Sequence, residues 1–325
     1  MQNLNIRDRI VDFISTIPTP VSVKAYGSSV AYQSGYASNE KKQVDLIVIV
    51  DDIKKFYKVN LKENDYMYKL TPKIYFRLAS IKGLKKHASI CYTTHINYGN
   101  DTYKMGVIEK SDVIDDLLNW KSFYIAGRFQ KEMFTAISDP EIEKANEINK
   151  RNALIVSLLL LDRENPTLDN LYETLCSLSY MGDNRKVFNA EDPNKVKKLA
   201  SGSKDFFDRE YRDKTDLFTV NSDNTINVNY SKVIAAIKEL PSDLQNKISL
   251  VIMPGMSEDE VFSAIRSVIT SHLTEIVKSS SHGQTRKGIL TTGPVNSVSY
   301  AWEKLKKGRK KDTDCKRLVK DKKNV

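Results

Sequence analysis

The sequence is poor in cysteine and has no long apolar run. Its three cysteines, Cys91, Cys176 and Cys315, lie far apart, so they fit neither a disulfide framework nor zinc-finger spacing, and a reducing compartment is expected. Even the longest predominantly apolar stretch, 153–161, is much shorter than the roughly 20 residues that cross a bilayer. Only 13 glycines and 9 prolines among 325 residues exclude collagen-like and low-complexity chains. With 40% hydrophobic and 28% charged residues, the chain suits one large or two to three small globular domains.

The first residues also lack the apolar run of a secretory signal peptide. Asp8 and Asp12 occupy a region in which a mitochondrial transit peptide avoids acidic residues. We therefore expect the mature protein to begin where the sequence begins.

Positive charge is concentrated at the carboxyl end. Residues 281–325 contain 13 Lys and Arg against 4 Asp and Glu, whereas the rest of the chain contains 38 against 37. Such a tail favours an anionic partner, namely phospholipid headgroups, nucleic acid or phosphates. The alternative is a solvated tail that improves solubility.

Within this tail, apolar side chains recur at helical spacing and lysines surround them. The apolar residues are Val295, Val298, Trp302 and Leu305, and the lysines include Lys306, Lys307 and Lys310. The pattern is typical of a helix that lies in a membrane interface. Alternatively, the same apolar stripe docks on the protein itself.

Apolar periodicity predicts an α/β (α+β) protein, with a mixed sheet first and helices after it. Strands are predicted at 21–26, 44–50, 89–98 and 103–108, and helices at 5–13, 111–132, 140–162, 167–180, 194–210 and 257–271. A hairpin over 217–228 after helices suggests a winged-helix-like domain. A Ser- and Gly-containing link, 279–293, precedes a last amphipathic helix. The predicted regions are therefore 1–132, 133–235 and 236–325.

A Gly-Ser pair and a carboxylate on the next strand suggest a nucleotide site. Tyr26, Gly27 and Ser28 end the first predicted strand, and Asp45 lies on the buried strand that follows. A Gly-Ser strand end lets backbone N–H groups approach a phosphate, and a carboxylate on a buried strand is costly without a cation. The pair resembles the polymerase-β type of nucleotidyltransferase, whose pattern is Gly-Ser followed by Asp-x-Asp or Asp-x-Glu. Asp45 would then bind Mg²⁺, unless Gly-Ser is only a turn and Asp45 merely begins a strand.

The second carboxylate of that pattern is missing here. Its position is taken by Ile47, and Asp51 lies about 20 Å along the strand, too far to share a metal ion. A second metal ligand must come from elsewhere in the chain or from the substrate's phosphates.

Five longer motifs are more specific. They are KMGVI at 104–108, DLLNW at 116–120, YIAGRFQK at 124–131, LSYMGDNR at 178–185 and KGILTTGP at 287–294. In this order they resemble the mitochondrial translocator assembly and maintenance protein family, the peripheral, mitochondrial-type phosphatidate cytidylyltransferases, over about residues 25–304. Family members commonly have Asn-x-x-His-Tyr where this chain has Asn64 followed by Met67 and Tyr68, so that histidine is not essential chemistry here.

The resemblance implies a polymerase-β-like nucleotidyltransferase domain, a winged-helix-like domain and a membrane-contacting carboxyl end. It implies that CTP and phosphatidic acid give CDP-diacylglycerol and pyrophosphate with Mg²⁺, for cardiolipin and phosphatidylglycerol synthesis. The expected catalytic residues are Asp45, Lys104, Asp183, Arg185 and Lys287, and the expected nucleotide-binding residues are Tyr26, Gly27, Ser28, Asp45 and Arg128. Asp183 and Arg185 are expected in a loop, where site residues are common, and Lys287 lies in the predicted link, where a phosphate role is favoured. From the residues alone, Asp116 and Arg128 form either an internal salt bridge or part of the site, and Trp120 is expected in the core.

Without a transit peptide, a bacterial member is expected, cytoplasmic and peripheral on the inner face of the cell membrane. The alternatives are a nucleotidyltransferase that acts on RNA or protein, and a non-catalytic winged-helix protein that binds nucleic acid. A DNA-binding helix should be basic, yet 167–180 contains Asp169 and Glu173 and no Lys or Arg. Nucleic acid is therefore not expected as a partner.

Overall fold

The chain forms a five-stranded sheet and a helical region that packs against it. The computed structural model describes residues 5–27, 29, 43–68, 88–182 and 194–292. The strands are β1 Ser22–Tyr26, β2 Val44–Val50, β3 Cys91–Tyr98, β4 Asp101–Glu109 and β5 Phe134–Ile137, with a separate pair, β6 Phe218–Val220 and β7 Ile226–Val228. The helices are α1 Ile6–Ile14, α2 Ile53–Glu63, α3 Lys110–Asn119, α4 Ala126–Phe129, α5 Pro140–Leu160, α6 Leu168–Ser177, α7 Lys195–Gly202, α8 Lys204–Phe207, α9 Tyr230–Ala235, α10 Ser242–Ser249 and α11 Glu258–Thr292.

The main sheet is mixed, as expected for the α/β class. Its order is β3-β4-β2-β1-β5. β2 and β4 run parallel, whereas the other neighbouring pairs are antiparallel. Because β5 pairs with β1, the sheet continues beyond residue 132, where the first region was expected to end. The division into three regions and the polymerase-β-like topology stay predictions.

β2 is the central strand and is buried on both faces. Ile47 and Ile49 belong to one hydrophobic core, whereas Leu46 and Val48 belong to another with α1 and α2. The continuous β-branched run predicted this double burial. The core of Ile47 and Ile49 also includes side chains from α5, α6 and α11, so the helical region shares a core with the sheet.

Two predicted elements are wrong. The helix predicted over 111–132 ends at Asn119, because Trp120 adopts a left-handed backbone with φ +50°. The predicted link over 279–293 is instead the end of α11, which continues to Thr292. Local Ser and Gly content favoured a loop there, but contacts with the sheet favour the helix. The amphipathic helix expected from Val295 lies outside the described residues.

The helical region otherwise follows the prediction. β6 and β7 form the expected antiparallel hairpin, and α6 with its following 3₁₀ turn Leu178–Tyr180 covers the stretch without Lys or Arg. None of the helices in the described ranges combines the length and apolarity that crossing a membrane would need.

Candidate active site

Strand register brings three of the predicted site residues together. Antiparallel pairing places Tyr26 on β1 opposite Asp45 on β2, and parallel pairing places Lys104 on β4 opposite Asp45 on its other side. The Asp45 side chain is 29% exposed, whereas the apolar side chains that follow it on β2 are buried. The carboxylate therefore lies at an accessible end of the central strand.

A cation lies beside this carboxylate. Lys104 Nζ is 3.6 Å from Asp45 Oδ1 and 4.2 Å from the centre of the Tyr92 ring. Since both charged side chains are partly exposed, the ion pair contributes at most about 1 kcal/mol to stability. The ion pair is therefore better suited to binding a charged ligand than to stabilising the fold.

Gly27 keeps the backbone open next to Asp45. Its φ is +84°, a conformation that residues with a side chain rarely adopt. A Cβ atom at Gly27 would lie 3.4 Å from Asp45 Oδ2. The glycine therefore permits the turn and leaves space at the carboxylate. Ser28 lies outside the described residues.

Arg128 extends the site on the side of Tyr26. Its guanidinium carbon is 3.7 Å from the centre of the Tyr124 ring and 5.7 Å from that of Tyr26. Arg128 Nη1 donates to the Tyr124 carbonyl at 2.6 Å. Arg128 Nε is buried and has no hydrogen-bond partner among the described residues. A buried N–H donor without an acceptor is costly, which is the condition that an anionic ligand would relieve.

Two tyrosines of this cluster share a hydrogen bond. The Tyr26 and Tyr92 hydroxyls lie 3.1 Å apart. Burial, and then the charge of Asp45, raise the pKa of Tyr26, while burial and then Tyr124 raise the pKa of Tyr92. Both phenols therefore stay protonated at neutral pH and keep an O–H group to donate.

Asp116 does not form the salt bridge with Arg128 that the sequence left open. Its carboxylate accepts hydrogen bonds from the backbone N–H groups of the loop after α3 and from one hydroxyl. The donors are the N–H groups of Ser122, Phe123, Ile125 and Ala126 and the hydroxyl of Ser122.

The loop that Asp116 holds is an unusual one. Trp120 and Phe123 both have left-handed backbones, with φ +50° and +54°. Such conformations persist only where surrounding contacts enforce them. The loop leads directly into Tyr124 and Arg128, so the hydrogen bonds to Asp116 fix the backbone from which both side chains extend. Trp120 is buried, as predicted, and donates to Asn149 Oδ1.

Lys287 lies on α11 and not in a loop. Its side chain is buried, and Nζ donates to the Ala88 carbonyl, which precedes β3. Burial lowers the pKa of Lys287, against the opposing effects of Cys91 and Tyr124. The residue is thus close to Tyr124 but holds a backbone carbonyl, and its phosphate role stays a prediction.

The remaining predicted residues lie outside the described part of the chain. They are Asp183 and Arg185, together with the tail residues Val295, Val298, Trp302, Leu305, Lys306, Lys307 and Lys310. Among the described residues, no group of three or more His, Cys, Asp or Glu side chains could hold a metal ion. Asp51, at the far end of β2, is exposed and forms no second ligand beside Asp45.

Sequence reasoning missed Tyr92 as a site residue. Alternation predicts β3 but does not tell which of its faces meets the site. The residue that could have indicated Tyr92 is Gly106, its partner on the neighbouring strand. A Cβ atom at Gly106 would lie 2.5 Å from the Tyr92 ring, so only glycine leaves space for this ring. Tyr124 belongs to the same motif as Arg128, but the sequence does not show that its ring lies beneath the guanidinium.

Comparison with known proteins agrees with the motifs. The family model described as phosphatidate cytidylyltransferase, mitochondrial, matches residues 10–307. The chain belongs to this family. A relative of that name in Schizosaccharomyces pombe is 30% identical, covering 93% of this chain and 84% of its own. Another in Danio rerio is 32% identical, covering 87% and 89%, and one in Caenorhabditis briggsae is 30% identical, covering 92% and 98%.

These relatives correct the expected location. Each is named a mitochondrial enzyme, which points to mitochondria and not to the inner face of a bacterial cell membrane. The expected location rested on the absence of a recognisable transit peptide, and it is wrong.

Proposed function

We propose that this chain is a phosphatidate cytidylyltransferase, which converts CTP and phosphatidic acid to CDP-diacylglycerol and pyrophosphate. The observation that supports it most is that Asp45, Lys104, Gly27 and Arg128 lie together at one end of the central strand, in a chain whose family carries this name. A carboxylate, an open backbone turn and two cations are the parts that a nucleoside triphosphate site requires.

The reaction requires no covalent intermediate on the protein. A phosphate oxygen of phosphatidate forms a bond to the α-phosphorus of CTP, and the bond from that phosphorus to the bridging oxygen breaks. The electron pair leaves with pyrophosphate. The protein has to position two anions and neutralise charge that builds up on the leaving group, which suits Arg128 and Lys104.

Mg²⁺ fits this site with the substrate supplying most of the ligands. Mg²⁺ retains several waters and often binds through one or two carboxylates plus phosphate oxygens. Asp45 offers one accessible carboxylate, and Gly27 leaves space beside it. When bound, the ion would neutralise the triphosphate. Lys104 would balance the charge of Asp45 when the ion is absent.

Phosphatidate is a bilayer lipid, so the enzyme has to reach a membrane surface. We propose peripheral binding through the basic carboxyl end, which combines an apolar stripe with lysines. The relatives are named mitochondrial enzymes. At a mitochondrial membrane, CDP-diacylglycerol would serve phosphatidylglycerol and cardiolipin synthesis.

The test is an incubation of the full chain with CTP labelled in its α-phosphate, phosphatidic acid and Mg²⁺, followed by organic extraction. Label in the organic phase that depends on both phosphatidic acid and Mg²⁺ is the expected result. Replacing phosphatidic acid by diacylglycerol, which lacks the attacking phosphate, is the control. Label transferred to RNA or protein instead would reject the proposal in favour of another nucleotidyltransferase.

A further inference from the structure

Three buried asparagines lie along one face of α5. Asn146, Asn149 and Asn152 recur every three residues, and none of them is more than 8% exposed. Asparagine is a poor helix former, and burying its amide group costs free energy unless the amide is hydrogen-bonded. The hydrogen bonds of each amide therefore show what the residue contributes.

Asn149 uses its whole hydrogen-bonding capacity. Its Oδ1 accepts from Trp120 Nε1 at 3.0 Å and from Gln130 Nε2 at 2.9 Å. Its Nδ2 donates to the Ala126 carbonyl at 3.0 Å and to Asn146 Oδ1 at 3.1 Å. A side-chain amide can accept two hydrogen bonds and donate two, so all its positions are filled. Three of the four bonds hold one continuous segment, from the residue after α3 to the residue after α4.

These bonds reach Arg128 because α4 is a single turn of helix. Such a short helix forms few internal hydrogen bonds, so tertiary contacts decide where it lies. Asn149 holds the Ala126 carbonyl at the start of α4, and Asn146 Nδ2 donates to the Phe129 carbonyl at its end, at 3.3 Å. Arg128 lies between these two carbonyls in the chain. The amides of α5 therefore fix the backbone from which the Arg128 side chain extends.

We infer that Asn149 is a positioning residue, which places Arg128 for the nucleotide. This inference rests on the proposed function. The apolar side chains of α5 share a hydrophobic core with Ile47 and Ile49 of β2, the strand that carries Asp45. Asn149 thus ties the turn that carries Arg128 to a helix that is itself fixed against the sheet.

Asn152 offers a matched control. It lies three residues further along the same face of α5 and is 1% exposed, against 0% for Asn149. Neither amide atom of Asn152 has a hydrogen-bond partner among the described residues. A leucine at either position has a similar size and removes one buried amide, but only at Asn149 does it also remove bonds to the segment around Arg128.

The experiment titrates CTP by calorimetry into the full chain and its Asn149→Leu and Asn152→Leu variants, at a temperature at which circular dichroism shows all three folded. We expect the affinity for CTP to fall about tenfold in Asn149→Leu and to change by less than about twofold in Asn152→Leu. In an Arg128→Ala background, Asn149→Leu should change the affinity by less than about twofold, because the group that it places is gone. Gln130→Met removes one bond to Asn149 and should give a smaller loss of the same kind, so it replaces Asn149→Leu if that variant does not fold.

A second measurement tests the placement of Arg128 without any ligand. Arg128 Nε is buried, so its ¹⁵N NMR signal, identified by its loss in Arg128→Lys, should differ from those of exposed arginines. We expect this signal to move in Asn149→Leu and to stay in place in Asn152→Leu.

Three outcomes would overturn the inference. They are equal losses of CTP affinity in the two leucine variants, an Asn149→Leu effect that persists in full without Arg128, and an Arg128 signal that Asn149→Leu leaves unchanged. A chain whose Arg128 signal responds as expected but that binds no CTP would instead refute the proposed function and leave the positioning of Arg128 standing.

Discussion

Asp45 is the residue on which the proposed chemistry depends most. Asp45→Asn keeps the size of the side chain but removes the charge that would hold a cation. We expect kcat to fall by about 10²–10³ or more, while the free energy of unfolding changes by less than about 1 kcal/mol, because the ion pair with Lys104 is partly exposed. Asp51→Asn, beyond the other end of β2, is the control for losing one carboxylate. Activity of Asp45→Asn within threefold of wild type at saturating Mg²⁺ would exclude the metal role.

Gly27 tests whether the turn beside Asp45 binds the nucleotide. Gly27 and Gly99 both have positive φ, +84° and +56°, so an alanine strains the backbone at either position by about 1–2 kcal/mol. Only at Gly27 would the new Cβ meet the site; at Gly99 it would meet open space among the described residues. Calorimetry should therefore show CTP affinity reduced at least about tenfold in Gly27→Ala and unchanged in Gly99→Ala. Equal effects would mean that Gly27 is only a turn.

Asp116 tests positioning through the backbone. In Asp116→Asn, an NH₂ group would replace one of the two oxygens that now accept hydrogen bonds from the backbone. Because an NH₂ group cannot accept these bonds, we expect the free energy of unfolding to fall by about 1–3 kcal/mol. Asp115→Asn, the neighbour that bonds Asn119 and Lys121 at the surface, should cost much less. If Asp116 acts by placing Arg128, its effect on kcat/KM should largely disappear in an Arg128→Ala background. Effects that multiply instead would show that the loop serves the site by another route.

At the scale of elements, the sequence predicts what local pattern controls. Val44–Val50 was predicted to the residue, because a continuous β-branched run has one good environment, a strand covered on both faces. β5 was missed because its four residues become a strand only by pairing with β1. The end of α11 was missed because serine and glycine favour a loop locally, whereas Gln284 makes tertiary contacts there.

Those contacts tie α11 to the edge of the sheet. Gln284 Nε2 donates to the carbonyls of Ala88 at 3.0 Å and Ile90 at 3.1 Å, and Lys287 Nζ also donates to Ala88. The carbonyls precede β3, the strand that carries Tyr92. The helix that leads toward the basic tail is therefore fixed to a strand of the candidate site.

Lys287 should show this contact in the pH dependence of stability. Burial lowers its pKa in the folded chain below the ordinary value of 10.5. Below the lowered pKa, Lys287 is protonated in both the folded and the unfolded chain, so folding carries the full cost of burying the charge. As the pH rises from the lowered pKa towards 10.5, Lys287 loses its proton in the folded chain first. The unfolded chain then binds more protons than the folded chain, so the free energy of unfolding increases with pH. Relative to Lys287→Met, wild type should gain stability over that interval in urea titrations. Lys278→Met, at an exposed position of α11, should track wild type. A wild-type to Lys287→Met difference that is constant with pH would contradict the burial of this charge.

For the whole molecule, the uneven charge is the main clue to where the enzyme works. The body is nearly neutral, whereas 281–325 is strongly basic. Near an anionic leaflet each basic residue contributes about 1 kcal/mol of attraction, and salt weakens it because the Debye length is about 8 Å at physiological ionic strength. The apolar stripe would add a part of binding that salt does not weaken.

The last prediction separates these two parts. Replacing Lys306, Lys307 and Lys310 by Gln should reduce sedimentation with anionic liposomes and should remove most of the salt dependence of this binding. Trp302→Ala should instead weaken binding at every salt concentration. The control replaces three exposed lysines of α2, Lys54, Lys55 and Lys58, which lowers the net charge by the same amount away from the tail.

A truncation after Pro294 should still bind CTP, because the candidate site is built on β1, β2 and β4. The truncated chain should keep more activity on soluble, short-chain phosphatidate than on phosphatidate in bilayers. Liposome binding that survives the truncation undiminished would place the membrane contact elsewhere on the protein.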